Sequence, residues 1–313
     1  MSAIKIDELN EELGAYLRED KDVLIAETLQ SKSLEGKFEF WDDVKDEVPL
    51  PSLSIGNIVK PANAEKFEPT PDALQFKARM LKVRGMKVDL VLVPSNLEKT
   101  WLGKVNKKGS DAYQMPFEEY IMKYIVEKAQ EEVYLMSVYK GIYNPAGKTA
   151  ADTIDGVLTL VENEILADNI VPVITGAVTP TNIIESCEMV YDNLGEAYKA
   201  KPTQMPLAPT LYDWYQRRYR GQYGANNNYS GMENKLFLDG TNCELIREPA
   251  LAGSQRLIVT PMENKVYGFD SAADENNITT QVFERTIKVM MDFKAGTQLK
   301  EIHSRALAVN DQK

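Results

Sequence analysis

The side chains in this chain that could do chemistry are few and poorly spaced for it. One histidine, His303, stands near the end. A lone imidazole cannot build a histidine-rich metal site, and as an acid or base it needs an orienting carboxylate. It reads as an ordinary strand histidine. Cys187 and Cys243 have no metal-ligand spacing and no disulfide framework around them, so they read as free buried thiols of a reducing compartment. "DTIDG", Asp152 to Gly156, hints at a calcium loop, but its spacing is wrong and no bidentate glutamate follows. Asp152 is better placed as the cap of a helix. "LDGTN", Leu238 to Asn242, reads as a turn between strands. Neither a glycine-rich phosphate loop nor a G-x-S-x-G or H-E-x-x-H motif is present. The 47 carboxylates are scattered, and no pair is singled out as an acid/base couple. The expectation is a protein without catalytic residue, metal or cofactor.

Charge is more informative. The net charge of −11 argues against a protein whose main task is gripping nucleic acid, which needs surplus Lys and Arg. Residues 1–50 carry 14 acidic and 6 basic side chains, and residues 77–108 carry 9 basic and 2 acidic. These blocks are either two solvated faces or surfaces that complement each other between neighbouring copies. Lys82, Arg84 and Lys87 lie in the basic block. A second cluster, "RRYRGQY", contains Arg217, Arg218 and Arg220. Arginines at a helix C-terminus suit the helix dipole; the alternative is an intersubunit or polyanion contact beside the "GANNNYSG" loop.

The elements that must carry these residues follow from periodicity. Ile6, Leu9, Leu13, Tyr16 and Leu17 predict an acidic amphipathic helix too short to fold alone. Residues 31–72 predict an extended segment, with five prolines between Val48 and Ala73. Residues 74–94 read as strand and lead to a short helix. "PFEEYIMKYIVEKAQEEVYLMSVYKG" predicts a long helix over 116–140, with Phe117, Ile121, Tyr124, Ile125, Ala129, Val133 and Met136 as its apolar stripe and Gly141 as its stop. Residues 152–167 predict a helix, "NIVPVITG" a short buried strand, and the stretch from Thr179 another helix lined by Ile184, Cys187, Val190, Tyr191 and Leu194. An aromatic helix and four short strands follow. Val282 to Asn310 reads as two strands about a turn at Ala295-Gly296-Thr297. The class is α+β, without βαβ regularity or internal repeat. No run of about 18 apolar residues is present, so no membrane span is expected.

The order of parts resembles the HK97-like fold of tailed-bacteriophage major capsid proteins, with encapsulins as relatives that share it. "VDLVLVPSNLEKTWLGK" resembles the strand and helix after the family's extended loop, the 116–140 helix its spine, "LFLDGTNCELIREPALAGSQRLIVTPMENKVYGFD" its axial-domain strands, and "FERTIKVMMDFKAGTQLKEIHSRALAVN" its closing peripheral ribbon. The resemblance implies an N-terminal arm over 1–35, an extended-loop region over 36–94, a peripheral domain over 95–147 and 276–313, and an axial domain over 148–275. It also implies a function: identical subunits closing as hexamers and pentamers into an icosahedral shell around packaged double-stranded DNA. The shell would assemble in a bacterial host's cytoplasm, with portal and scaffolding or accessory proteins as partners and no membrane. The six basic residues named above would then be intersubunit contacts. About 30 helical residues precede the extended segment, fewer than in members with a built-in scaffold, which leaves room for scaffolding as a separate protein. No Lys–Asn cross-link site is matched. A shell of the encapsulin type and an unrecognised α+β enzyme are the alternatives.

Overall fold

A computed structural model of the chain describes residues 33–55, 74–93, 117–223, 229–230, 235–270, 278–283, 286–303 and 305–313. The expected N-terminal helix, the short helix after residue 94 and most of the "GANNNYSG" loop lie outside them. The described chain is α+β, and its strands form three sheets.

The first sheet is organised by one long strand. In chain order, β1 is Glu39–Trp41, β2 Glu47–Ile55, β3 Leu74–Lys82 and β4 Arg84–Leu92. Further on come β10 (Lys265–Phe269), β11 (Ile278–Phe283) and the 14-residue β12 (Thr286–Leu299). β12 pairs antiparallel with β4 along Ile287–Ala295, with β11 along Thr286–Met291 and with β10 along Ala295–Leu299. Because Met291 and Ala295 are each paired twice, β4 holds one edge of β12, and β11 and β10 share the other. Ile287, Val289, Met291 and Phe293 alternate into the core as their spacing predicts.

The expected turn at Ala295-Gly296-Thr297 is not there: these residues lie inside β12, and the chain reverses instead between the paired residues Phe283 and Thr286. Gly296 is required for a different reason. A Cβ on it would come 2.1 Å from the Lys82 carbonyl oxygen, and one on its register partner Gly268 would come 2.6 Å from Leu81 Cδ2. Glycine inside a strand marks either a bend or a close approach, and sequence does not distinguish them.

β2 and β3 form a separate two-stranded ribbon of nine register pairs, Glu47↔Lys82 to Ile55↔Leu74. Pro49 and Pro51 are compatible with it because neither strand has a second neighbour among the described residues. Residues 74–94 are therefore two strands, one in the ribbon and one in the sheet, broken at the buried Val83.

The long helix, α1, spans Phe117–Glu132 and passes into a π turn at Val133–Ser137, closed by Val138 N–H to the Val133 carbonyl at 3.2 Å. The wider turn shifts the phase of later side chains. Met136 is consequently exposed and Tyr134, Ser137 and Val138 are buried. Within α1, Met122 and Val126 are buried where the predicted stripe had Tyr124, which is exposed. α2 spans Val157–Leu166 with Gly156 as its N-cap. Asp152 does not cap it, and instead closes a 3₁₀ turn with Thr149, three residues before it.

The other sheet runs β13-β9-β5-β8-β7-β6, where β5 is Thr203–Leu207, β6 Tyr229–Ser230, β7 Lys235–Phe237, β8 Cys243–Arg247, β9 Ile258–Pro261 and β13 Ala308–Val309. Helices α3 (Ile183–Asp192), α4 (Glu196–Lys199) and α5 (Pro209–Tyr223) adjoin it in sequence. Central β5 contains Pro206, a residue that central strands ordinarily exclude. Pro206 lies beyond the last β5–β9 pair, Gln204↔Thr260, where no ladder bond to β9 is needed. "NIVPVITG" is no buried strand. It makes one parallel bridge, Val173↔Asn310, and exposes Val171 and Ile174.

Gly296→Ala should cost roughly 1–3 kcal/mol or more by overpacking against a backbone oxygen that cannot retreat. Gly85→Ala, with open space around its Cβ, is the control. Urea unfolding of both should show a large loss for the first and little for the second.

Candidate assembly interface

The root of the ribbon is held by a small core of its own. Leu50, Leu81, Val44, Val83 and Val266 are buried together there, with Trp41 and Val48 against them. Opposite Leu50 in the register, Arg79 Nη2 lies 2.8 Å from Glu164 Oε1 of α2 and 3.3 Å from Gln298 Oε1 of β12. Gln298 Nε2 in turn donates to the Met80 carbonyl at 2.9 Å. Outward from Arg79, the register alternates apolar pairs (Pro51↔Ala78, Leu53↔Phe76, Ile55↔Leu74) with polar ones (Ser52↔Lys77, Ser54↔Gln75).

The basic residues named from sequence fall on two elements. Lys82 is 3.5 Å from Glu47, its register partner, and Lys87 is 2.7 Å from Asp89; all four are more than half exposed, so the pairs add little stability. Arg84 is half-buried, its guanidinium 4.3 Å from the centre of the Tyr143 ring. On α5, Arg217 and Arg220 are exposed, and Arg218 lies 3.8 Å from Glu185 of α3. Lys82, Lys87, Arg217 and Arg220 thus present charge to solvent, the two lysines beside carboxylates of the same chain, whereas Arg84 and Arg218 are half-buried. Beside β4, a cleft of about 510 Å³ is walled by Gly85–Val88, the end of α1, Val133 and the Tyr143–Thr153 loop. Asp152, the polar group most suggestive in sequence, accepts hydrogen bonds from Thr149 Oγ1 and from the Lys148 and Thr149 amides. It is therefore occupied as a turn-former.

Sequence reading missed a buried polar cluster. Lys265 is wholly buried; its Nζ donates to Gln204 Oε1 at 3.1 Å and sits 5.4 Å from the Phe38 ring centre. Gln204 Nε2 donates to the Gly36 carbonyl at 2.7 Å. Lys37 Nζ is 2.9 Å from both the Tyr134 hydroxyl and Glu248 Oε2, and the Tyr134 hydroxyl makes a short bond to Glu248 Oε1. The π turn is what aims Tyr134 inward. The cluster staples residues 36–38 to α1's extension, β5, β8's exit and β10. Its members are far apart in sequence and form no motif, so no signal could have found them. Burial holds the Lys265 amine down to about 8; the nearby Glu248 carboxylate opposes this and Lys37 adds to it. Glu248 and Lys265 are buried, and their bonds tie these segments together as a staple.

His303 is not in a strand. It follows β12 in a bend, where Nδ1 accepts from the Arg305 and Ala306 amides at 3.2 and 3.3 Å and the ring packs edge-on against Tyr198. Cys187 and Cys243 are free and buried, and burial raises both thiols above their ordinary range, Cys243 to about 12. Among the described residues, no group of three or more His, Cys, Asp or Glu could hold a metal ion, and no helix is long and apolar enough to cross a membrane.

Lys265 has a stability signature. Its folded pKa lies below the ordinary value of 10.5, so between about pH 8 and 10.5 the unfolded chain binds the extra proton and stability rises with pH. The cost of burying the ammonium, on the order of 3 kcal/mol, is present below pH 8 and relieved above 10.5. Denaturant unfolding from pH 7 to 10.5 should show this rise in the wild type relative to Lys265→Met.

No family model matches the chain and no curated protein does. Solved structures do match. A chain in the structure of the satellite phage P4 procapsid including size determination (Sid) protein is 11% identical, with 94% of this chain and 98% of that one covered at a TM-score of 0.59. The holo-SrpI encapsulin complex from Synechococcus elongatus PCC 7942 matches at 12% identity, 91% and 88% coverage and TM-score 0.51. The capsid of a native GTA particle matches at 12% identity, 89% coverage of both chains and TM-score 0.51. At such identities the likeness is one of fold: the chain has the α+β HK97-like fold that its sequence resembles.

Proposed function

We propose that the chain is a structural subunit that closes with copies of itself into a shell, and that it has no enzymatic role. The observation that carries this reading is the β2–β3 ribbon. Nine pairs at about 3.4 Å make it roughly 30 Å long. Among the described side chains, the contacts that hold it to the body are those around Leu50, Leu81 and Arg79. An isolated two-stranded ribbon is marginal in water, and this one alternates apolar cross-strand pairs along its length. It is best accounted for as a strap whose outer part is covered by a neighbouring copy. The shared fold with a procapsid, a GTA capsid and an encapsulin supports the same conclusion.

The finer reading is a major capsid protein of a tailed phage, arranged as hexamers and pentamers around double-stranded DNA, with portal and scaffolding partners. In it, the 116–140 segment acts as the spine of a peripheral domain (95–147 with 276–313), 148–275 is the axial domain, 36–94 the extended-loop region and 1–35 an arm. Lys82, Lys87, Arg217 and Arg220 are the exposed members of the proposed intersubunit set. The negative net charge of −11 suits a wall that must not cling to DNA while it is packaged. A second reading, a cargo compartment of the encapsulin type, is favoured by the SrpI match.

Purified wild type should form closed particles by electron microscopy. Replacing residues 51–78 with a two-residue turn should leave a folded, helical body that no longer closes into particles. A variant that still builds wild-type shells would remove the ribbon from the interface. Particles purified from cells with the native gene neighbourhood distinguish the two readings, since packaged DNA supports the capsid and an enclosed enzyme supports the compartment.

A further inference from the structure

We infer that Arg79, Glu164 and Gln298 set the angle at which the ribbon leaves the body, and that this angle selects the size of the particle. The inference rests on the shell-forming reading and names the positioning residues for it.

Two kinds of contact hold the ribbon. At the root, Gly296 lets the Lys82–Val83 backbone lie directly on the sheet and Gly268 makes room for the Leu81 side chain, a close contact that can act as a pivot. Two residues outward from Leu81, a charge pair ties ribbon to body among the described residues: Arg79–Glu164 at 2.8 Å, with both side chains mostly but not fully buried. Glu164 is itself held by Asn169 Nδ2, which donates to Oε2 at 2.6 Å, and so is a fixed post on α2. Gln298 completes the tether: its Oε1 faces Arg79 and accepts the Leu299 amide, while its Nε2 holds the Met80 carbonyl. Arg79 and Met80 are thus clamped from α2 on one side and β12 on the other.

The geometry is that of a lever. At about 3.4 Å per residue the tether lies roughly 7 Å beyond Leu81, and the last described pair, Ile55↔Leu74, roughly 24 Å beyond it. A displacement of about 2 Å at Arg79 therefore moves that end by about 7 Å. A ribbon that must meet a neighbouring copy cannot swing that far without changing the angle between copies, and the angle between copies fixes curvature and closure. The pivot resists translation and the tether resists rotation, so the tether is where the angle is chosen.

The test is cryo-electron microscopy of particles from wild type, Arg79→Glu, Glu164→Arg, the double swap, and Glu164→Gln, which keeps shape while removing charge. Each single variant should lose the single wild-type size class, through a shifted diameter or a second population, and the double swap should restore it. Thermal unfolding of the unassembled subunits checks that each is folded; Glu164→Gln carries the test if a charge reversal is not. Unchanged particle size in the folded single variants overturns the inference, as does a double swap that fails to restore the wild-type class. Wild type that forms no particles overturns the shell reading instead, and this inference with it.

Discussion

The described structure depends on a place where two backbones touch. Gly268 and Gly296 pair in register on β10 and β12; the Lys82–Val83 backbone lies against Gly296 and the Leu81 side chain against Gly268, each closer than a Cβ would allow. This contact joins the ribbon to the sheet, buries Leu81 and Val83 with Val266, and lets β3 continue into β4. Without it, the ribbon would have no fixed origin and β4 would not be delivered to the edge of β12. At Gly296 close packing leaves no compromise, because the obstructing atoms are backbone, a carbonyl oxygen first among them.

The polar interior follows a related logic. A lysine, a glutamate and a tyrosine are buried where residues 36–38 meet the body, at a cost that hydrophobic side chains of similar shape would not incur. Such groups are tolerated when every partner is in place. The π turn after α1 is part of that completeness, because it redirects Tyr134 inward and leaves Met136 outside. A hydrophobic contact at this point would allow the segment to slide. Lys37 to Glu248 and Tyr134, with Gln204 to the Gly36 carbonyl, specify one position for it.

Function on this reading lies in what the body leaves outside itself. The exposed lysines and arginines, the ribbon and the exposed apolar residues Leu90, Val91, Leu166, Val171 and Ile174 are liabilities in a monomer and resources in an assembly. Asp152 and His303, polar groups of types that could do chemistry, both serve turns by accepting backbone amides.

Much of this was legible in one dimension. Hydrophobic alternation found the buried face of β12, helical spacing found the inner side of α3 down to Cys187 and Val190, and turn residues separated β7, β8, β9 and β10 correctly. These are local signals, in which each residue's neighbours in sequence are also its neighbours in the element. What tertiary structure alone decided is where distant segments meet. Gly296 reads as a turn until Lys82 is placed against it. Pro206 forbids a strand until β9 is seen to stop short of it, and Lys37, Gln204, Glu248 and Lys265 are unremarkable until folding brings them together. Periodicity is a property of a chain, whereas close approach and pairing of buried charge are properties of a folded solid.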